Sequence, residues 1–526
     1  MTPPTRTAVS WLARLPHARV VAGTPAEVTD VCYDNRRLRP GALFVAVPGF
    51  EVDGHDFLRD AIDRGATALL VQDDRRAKWQ DIAAEVSKTD KLSHELSVST
   101  NAGVALVSVA ETRRALAQAA AGFYGEPAAK LGVVGVTGTD GKTTTVHLIA
   151  HVLASAGRRA GYLSSVAFAT DGEPELNASH MTTLEAPDVQ ARLAAMVDAG
   201  NEYAVIEASS HGLALHRVDA CEFDVAVFTT LSSDHLDFHG TLDEYRAAKG
   251  RLFAMLDEPS TKDVPRAAVL NADDPASEAF RSLTGAPVIT YALDAGAGVR
   301  AESVVARGLA TSFRLVAPSG AIDVDVALAG RYNVANCLAA AAVGLSQGLD
   351  LDAIGQGLAS FAGVPGRLEQ IDAGRPFLVV VDIASTPEAL RRVLEVLRPV
   401  TEGRLWAVFG AAGERDPGRR DGMGRVAGEL ADVSVLTNED PRREDPDAII
   451  EAIATGLREA GRSEGDGFVR VPDRRQALRY AFTHAGPGDT VLLAGKATEQ
   501  SIVIGTEHHP WDERTVAREL LEEVTR

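Results

Sequence analysis

Residues 131–145 read LGVVGVTGTDGKTTT: an apolar run breaks at Gly138, turns through Thr139, Asp140 and Gly141, and reopens at Lys142 as a helical pattern. A buried strand that feeds a glycine turn and a helix start offers backbone N–H groups and the positive end of a helix to an anion. Lys142 adds a charge there, and the hydroxyl of Thr143 can ligate Mg²⁺. Gly138, Thr139, Asp140, Gly141, Lys142, Thr143 and Thr144 are therefore the candidate ATP-phosphate residues. Strict P-loop spacing would put glycine at 136, where this chain has Val136, so the loop is a variant.

Outward from this loop the same texture repeats. YAVIEA (203–208), DVAVFTTL (224–231) and AAVLNAD (267–273) are apolar strands that alternate with amphipathic stretches, the pattern of a doubly wound parallel sheet with ligands at the strands' carboxyl ends. Near Val364 a third unit begins, with FLVVVD, a helix expected around Pro387 to Leu397, LWAVFG, VSVLTNED and TVLLAG; this predicts a Rossmann-like domain. Before the loop, LFVAV (43–47), FLRDAIDRG and ALLVQ (68–72) make a smaller α/β unit. The expected division is 1–125, 126–363 and 364–526. Residues 85–103 are polar and weakly periodic, and are expected to be a surface excursion.

With 526 residues, 45% of them apolar and 24% charged, the chain is long enough for several well-buried cores. Its 53 basic against 73 acidic residues give a net charge of −20, which argues against a nucleic-acid partner or an anionic membrane. Three scattered cysteines suggest neither a disulfide framework nor a zinc site. No run approaches the length of a transmembrane helix. A cytoplasmic monomer without membrane insertion is expected.

Glu207 ends one strand, and the loop Asp234-His235-Leu236-Asp237-Phe238-His239 follows the next, so both converge on the crevice beside the phosphate loop. A carboxylate and an imidazole there can bind a hard cation whose shell phosphate oxygens complete. Lys249, in DEYRAAKGRLF, reads on local pattern alone as a solvated helix residue.

Taken together, these motifs resemble the Mur ligase family, and more closely its MurE type, nearly from end to end. TGTDGKT (137–143) is similar to the family's ATP loop; Glu207 in EASSH and His235 in DHLD match its magnesium-binding positions; Asn271 in NADDP matches the adenine-side asparagine. GRYNVANCLAA from Gly330, Arg367 in VPGRLE and Asp382 on the ribose side extend the ATP-site likeness. The resemblance implies a three-domain fold, ATP, two Mg²⁺ in relatives' fashion, and a carbamylated Lys249 that joins Thr143, Glu207 and His235 around metal. It also implies Lys142, Lys249 and His235 as catalytic residues. YDNRRLRPGALFVAVPGFEVDGHDF resembles the UDP-sugar domain; with it come Asn35, Arg36, Thr182, Thr183, Ser210 and Arg217 as nucleotide-sugar and dipeptide contacts. AGERDPGRRDGMG, EDPRREDP and GKATEQS resemble the amino-acid-binding segments, carrying over Arg415, Asp440, Arg442 and Glu499.

The implied activity joins lysine, ornithine or meso-diaminopimelate to UDP-N-acetylmuramoyl-L-alanyl-D-glutamate through an acyl phosphate, in peptidoglycan precursor synthesis. Departures cluster around the substrates. Leu184, Leu215, Ile383, Ser385, Ala497 and Thr498 stand where relatives carry proline, glutamine, tyrosine, histidine, glycine and histidine. They leave open a ligase redirected to another acyl donor or acceptor, or a silent nucleotide-binding homologue.

Overall fold

The computed structural model describes residues 6–7, 12, 15, 17–23, 27–96, 104–179, 181–232, 234–294, 296–372 and 374–524. Three large sheets follow one another along the chain.

The central sheet has eleven strands. Its heart is the parallel series Ala160–Leu163, Tyr203–Glu207, Gly132–Thr137, Val225–Phe228, Ala267–Asn271, Val288–Ala292 and Val299–Arg307, in that spatial order. Strands covered on both faces read as nearly unbroken apolar runs, and these do. Val134, Val136, Val205 and Val227 pack on one face with the helices Lys142–Ser155 and Arg331–Ser346, whereas Val133, Ile206, Ala226 and Phe228 pack on the other. Val136 lies in register with Glu207 and with Val227, so the phosphate loop and both neighbouring strand ends emerge at one edge.

The sheet is mixed rather than purely parallel. Ala167–Ala169 and Glu175–Leu176 add antiparallel strands at one edge, and Ala310–Ala317 and Gly320–Val326 continue antiparallel from Val299–Arg307 at the other. These outer strands alternate exposed and buried residues, because one of their faces meets water.

The last sheet runs Glu369–Ile371, Leu378–Asp382, Thr490–Ala494, Leu405–Phe409, Val433–Leu436, Phe468–Arg470, parallel except for the first strand. Its helix Pro387–Leu397 begins where Thr386 accepts a hydrogen bond from the Ala389 N–H, with proline at the first helical position. The N-terminal sheet sets Asp30–Cys32, Ala42–Val45, Ala68–Gln72 and Ala105–Val109 in parallel, with Arg19–Ala22 antiparallel at its edge.

The expectation for 85–103 is corrected in part. One helix spans Arg76–Leu96, resting Trp79, Ile82 and Ala83 on the N-terminal sheet, while 97–103 lie outside the described residues. After those anchors its sequence turns polar, so the periodic signal fades although the backbone stays helical. The three cysteines are buried and unpaired. Among the described residues no helix is long and apolar enough to cross a membrane.

Candidate active site

Each backbone turn of the phosphate loop is fixed by a neighbour. Gly138 and Gly141 have φ of 150° and 82°, in the region that favours glycine. A Cβ on Gly138 would sit 1.9 Å from Oγ1 of Thr229, and one on Gly141 would sit 2.5 Å from Oδ1 of Asn336. Thr139 N–H donates to the Thr230 carbonyl at 2.6 Å, and Thr229 Oγ1 donates to the Asp140 carbonyl at 2.5 Å. The helix then starts at Lys142, whose Nζ donates to the Thr139 carbonyl at 2.8 Å.

Thr143 and Glu207 meet. The Thr143 hydroxyl lies 3.1 Å from both oxygens of Glu207 and 3.0 Å from Ser165 Oγ, and the Ser165 N–H donates to Glu207 Oε2 at 2.8 Å. This buried oxygen cluster is a donor set suited to a hard cation. Among the described residues no three His, Cys, Asp or Glu side chains form a ready-made metal shell. Mg²⁺ bound here would therefore draw the rest of its ligands from phosphate and water.

Lys249 is no surface lysine. Thr241 and Glu244 cap its helix, Leu242–Ala254, reciprocally, and Lys249 lies on the helix's buried face with Tyr245 and Leu252. Lys249 is 1% exposed; its Nζ donates to the Gly138 carbonyl at 2.6 Å and sits 4.2 Å from the Tyr245 ring centre. Burial first, then the positive charge of Lys142, holds its ammonium well below the usual lysine range.

His235 is half-exposed, with φ of 53° and Nε2 3.4 Å from Asp234 Oδ2, and it lines neither of the clefts described below. Its ring meets those of His211 at 4.8 Å and Tyr245 at 6.3 Å. Burial, then the neighbouring His235 and His239, pushes His211 down to about 4. His235 and Lys249 thus share Tyr245 as a neighbour.

A cleft of ≈ 780 Å³ opens from the loop toward the C-terminal sheet, lined by Lys142, Thr143, Glu207, Thr182 and Arg367 on one side and Arg415, Asp440, Arg442 and Glu499 on the other. A second, of ≈ 770 Å³, continues from Asp140 and Thr144 past Asn271 and Tyr332 to Asp382. Arg367 lines both, and its buried Nε has no hydrogen-bond partner. Asp382 fixes the turn that carries it: its two oxygens accept from the Leu368 and Ala384 N–H groups at 2.8 and 2.9 Å. Desolvation raises the Asp382 carboxyl, and Arg367 opposes that shift. Asn271 is also engaged, donating to the Thr229 carbonyl at 2.7 Å.

Beside Asp440 and Glu499 stands Lys496. Its fully buried ammonium lies 2.7 Å from Asp440 Oδ1 and closer still to Glu499 Oε2, so these two carboxylates are not free. Lys496 stands within GKATEQS, three residues before Glu499, and that spacing is the signal by which the sequence could have revealed it. Among the described residues no ion pair engages Arg415 or Arg442.

Other candidates fall elsewhere. Thr183 donates to the Glu207 carbonyl at 2.7 Å and so props the strand end; Arg217 pairs with Glu185 at 2.6 Å and donates to the Thr183 carbonyl. Ser210 is buried at the start of the helix Ser210–Ala214. Asn35 donates to Asp60 at 2.8 Å and Arg36 forks onto Asp34; neither lines the cleft.

Three successive segments match known families: residues 27–124 the "Mur ligase family, catalytic domain", 136–344 the "Mur ligase middle domain" and 366–497 the "Mur ligase, glutamate ligase domain". A UDP-N-acetylmuramyl-tripeptide synthetase of Roseiflexus sp. (strain RS-1) is 43% identical over 508 residues, covering 95% of each chain. The chain belongs to the Mur ligase family. A further Mur ligase, the UDP-N-acetylmuramoyl-L-alanyl-D-glutamate--2,6-diaminopimelate ligase of Geobacillus thermodenitrificans (strain NG80-2), is 40% identical over 97% of this chain and 98% of its own. A solved structure of a ligase with that same description superposes with a TM-score of 0.66 at 28% identity, over 99% of this chain and 100% of the other. Where this Mur ligase departs from the family motif GKGHE, the structure gives one reason to notice: Ala497, at the glycine position, has φ of 39° and is fully buried.

Proposed function

We propose that this Mur ligase activates the D-glutamyl carboxylate of UDP-N-acetylmuramoyl-L-alanyl-D-glutamate with ATP and joins it to a diamino acid in the cleft beside the phosphate loop. One observation carries the reading: Lys142, Thr143 and Glu207 line the same cleft as Arg415, Arg442 and Glu499, so phosphoryl transfer and amine attack share one space. The adenosine end of ATP fits the adjoining cleft beside Asn271 and Asp382.

The carboxylate oxygen attacks the γ-phosphorus, ADP leaves, and an acyl phosphate forms. The amine then attacks the carbonyl carbon, and inorganic phosphate departs with one of the original carboxylate oxygens. Most of the work is positioning and neutralising charge on the transferring phosphoryl group. Loop N–H groups and Lys142 hold the phosphates, and Arg367 reaches them from the turn fixed by Asp382. Thr143 and Glu207 and, as the family likeness implies, His235 are the residues that would hold Mg²⁺, which when bound offsets charge on the phosphate oxygens.

Lys249 fits carbamylation. Only an uncharged amine adds to CO₂, giving a carbamate and releasing one proton, and burial keeps this amine uncharged over more of the pH range than a free lysine. The anion so formed is an oxygen donor beside Gly138, at the back of the loop.

Arg415 and Arg442 suit a forked pairing with the acceptor's carboxylate. Asp440 and Glu499 against the single charge of Lys496 leave that triad one charge negative, which suits the distal ammonium that lysine, ornithine and meso-diaminopimelate all carry.

The test is ADP release by the purified protein with Mg²⁺, bicarbonate, ATP and the UDP-linked dipeptide, adding the three amino acids one at a time and weighing each product. Turnover with one of them, with a product heavier by that residue, is expected. Measurable ATP binding with no turnover on any would replace this reading with a redirected or silent Mur ligase.

A further inference from the structure

Asp140 puts a negative charge in the phosphate loop and lines both clefts, where a nucleotide polyanion would lie. Its backbone is held by Thr229 and Thr230, so the side chain cannot simply swing the loop aside. What answers its charge comes from another sheet. Arg392, on the helix Pro387–Leu397 of the C-terminal domain, places NH1 2.5 Å from Asp140 Oδ2, while its Nε lies 3.2 Å from Glu388 one turn earlier. The same helix touches the central domain a second time, where Val396 comes so close to Gly330 that a Cβ there would sit 3.2 Å from its Cγ2.

We propose that Arg392 is a positioning residue for ATP: it neutralises Asp140 in the phosphate loop and thereby makes docking of the C-terminal helix a condition of tight nucleotide binding. Without Arg392 the Asp140 carboxylate would face the phosphates uncompensated. Like charges several ångströms apart at a partly exposed surface repel enough to weaken ATP binding measurably. The proposal rests on the loop 138–144 being the ATP site. It differs from a direct contact between Arg392 and phosphate, because it makes the arginine dispensable once the carboxylate is gone.

The experiment is a double-mutant cycle on the full-length protein, reading KM for ATP at saturating dipeptide and amino acid, with Lys142→Ala as a parallel ATP-binding control. Arg392→Ala is expected to raise the ATP KM about fivefold to tenfold with Asp140 present, and less than about twofold in the Asp140→Asn background. Arg392→Lys should recover most of the loss, the amino-acid KM should stay within about twofold, and the effect should shrink in about 0.5 M salt. Both side chains are partly exposed, so the variants should fold; matching thermal transitions check this. Equal effects of Arg392→Ala in the two backgrounds, or none in either, would overturn the coupling. A Lys142→Ala protein that bound ATP as well as the parent would overturn the ATP-site reading, and the coupling with it.

Discussion

The two ends of the cleft are built differently. At the phosphate end, the groups that matter hang from strand ends whose register is set by the sheet: Glu207 opposite Val136, Thr143 one residue into its helix, Lys249 buried beneath Gly138. At the other end, Asp440 and Glu499 share the single ammonium of Lys496 on loops, and Arg442 sits at φ of 52° in a loop bonded to Val503. On the proposed reading, phosphoryl transfer is served by the rigid element, and selection of the amine by side chains that can be exchanged without disturbing the sheet. The substitutions at Ile383, Ser385, Ala497 and Thr498 all fall on loops of the C-terminal domain, in keeping with that division.

If the division holds, substitutions at the two ends should fail in different kinetic constants. The largest effect belongs to Lys249→Ala, which should lower ligation by more than about a thousandfold while ATP binding changes by less than about tenfold, as transition-state charge stabilisation is lost and the loop's other contacts remain. Equilibrium nucleotide titration beside ADP release checks both halves. Next, Glu207→Gln should lower kcat by about a hundredfold and raise the Mg²⁺ concentration needed for half-maximal rate, with little change in the amino-acid KM. Were the amino-acid KM to move instead, the two ends would not be separate.

At the other end, Lys496→Met should raise the amino-acid KM by about tenfold or more and leave the ATP KM near its starting value. It should also destabilise the fold by about 3–5 kcal/mol, because Asp440 and Glu499 lose a buried partner. Denaturant unfolding measures the second part.

The pH dependence sharpens the phosphate end. Lys249 is held below the usual lysine range, so more of it is uncharged at a given pH than of a free lysine; as pH rises carbamylation gains, and as pH falls the amine is protonated and the carbamate lost. In CO₂-depleted buffer the rate should therefore fall most at low pH and return on adding bicarbonate. A rate indifferent to bicarbonate between pH 6 and 8 would remove the carbamate from the account. The smallest effect is at Ala497, whose φ of 39° strains a side-chain-bearing residue; Ala497→Gly should change stability by no more than about 1 kcal/mol, in the stabilising direction.

How much of this was legible in the sequence follows the same line. The loop 131–145 could be read because strand, glycines and helix are contiguous, and the alternation of buried strands announced the layered fold. Lys249 could not be read from periodicity, since a helix pattern does not say which face a lysine takes; the motif around it did. The antiparallel extension at 299–326 escaped notice because half of each strand is polar, and the helix to Leu96 because its outer turns are polar all round. The spacing of Lys496 and Glu499 was there to be read, but the pairing of Lys496 with Asp440 and of Arg392 with Asp140 joins residues 56 and 252 positions apart, so nothing local signals those two.

The central claim is that ATP activates the D-glutamyl carboxylate directly. Its most direct test is ligation with that carboxylate labelled in both oxygens with oxygen-18, followed by mass analysis of the phosphate released. The account predicts one labelled oxygen in each phosphate and one in the amide carbonyl. Phosphate without label, released in step with amide formation, would contradict it.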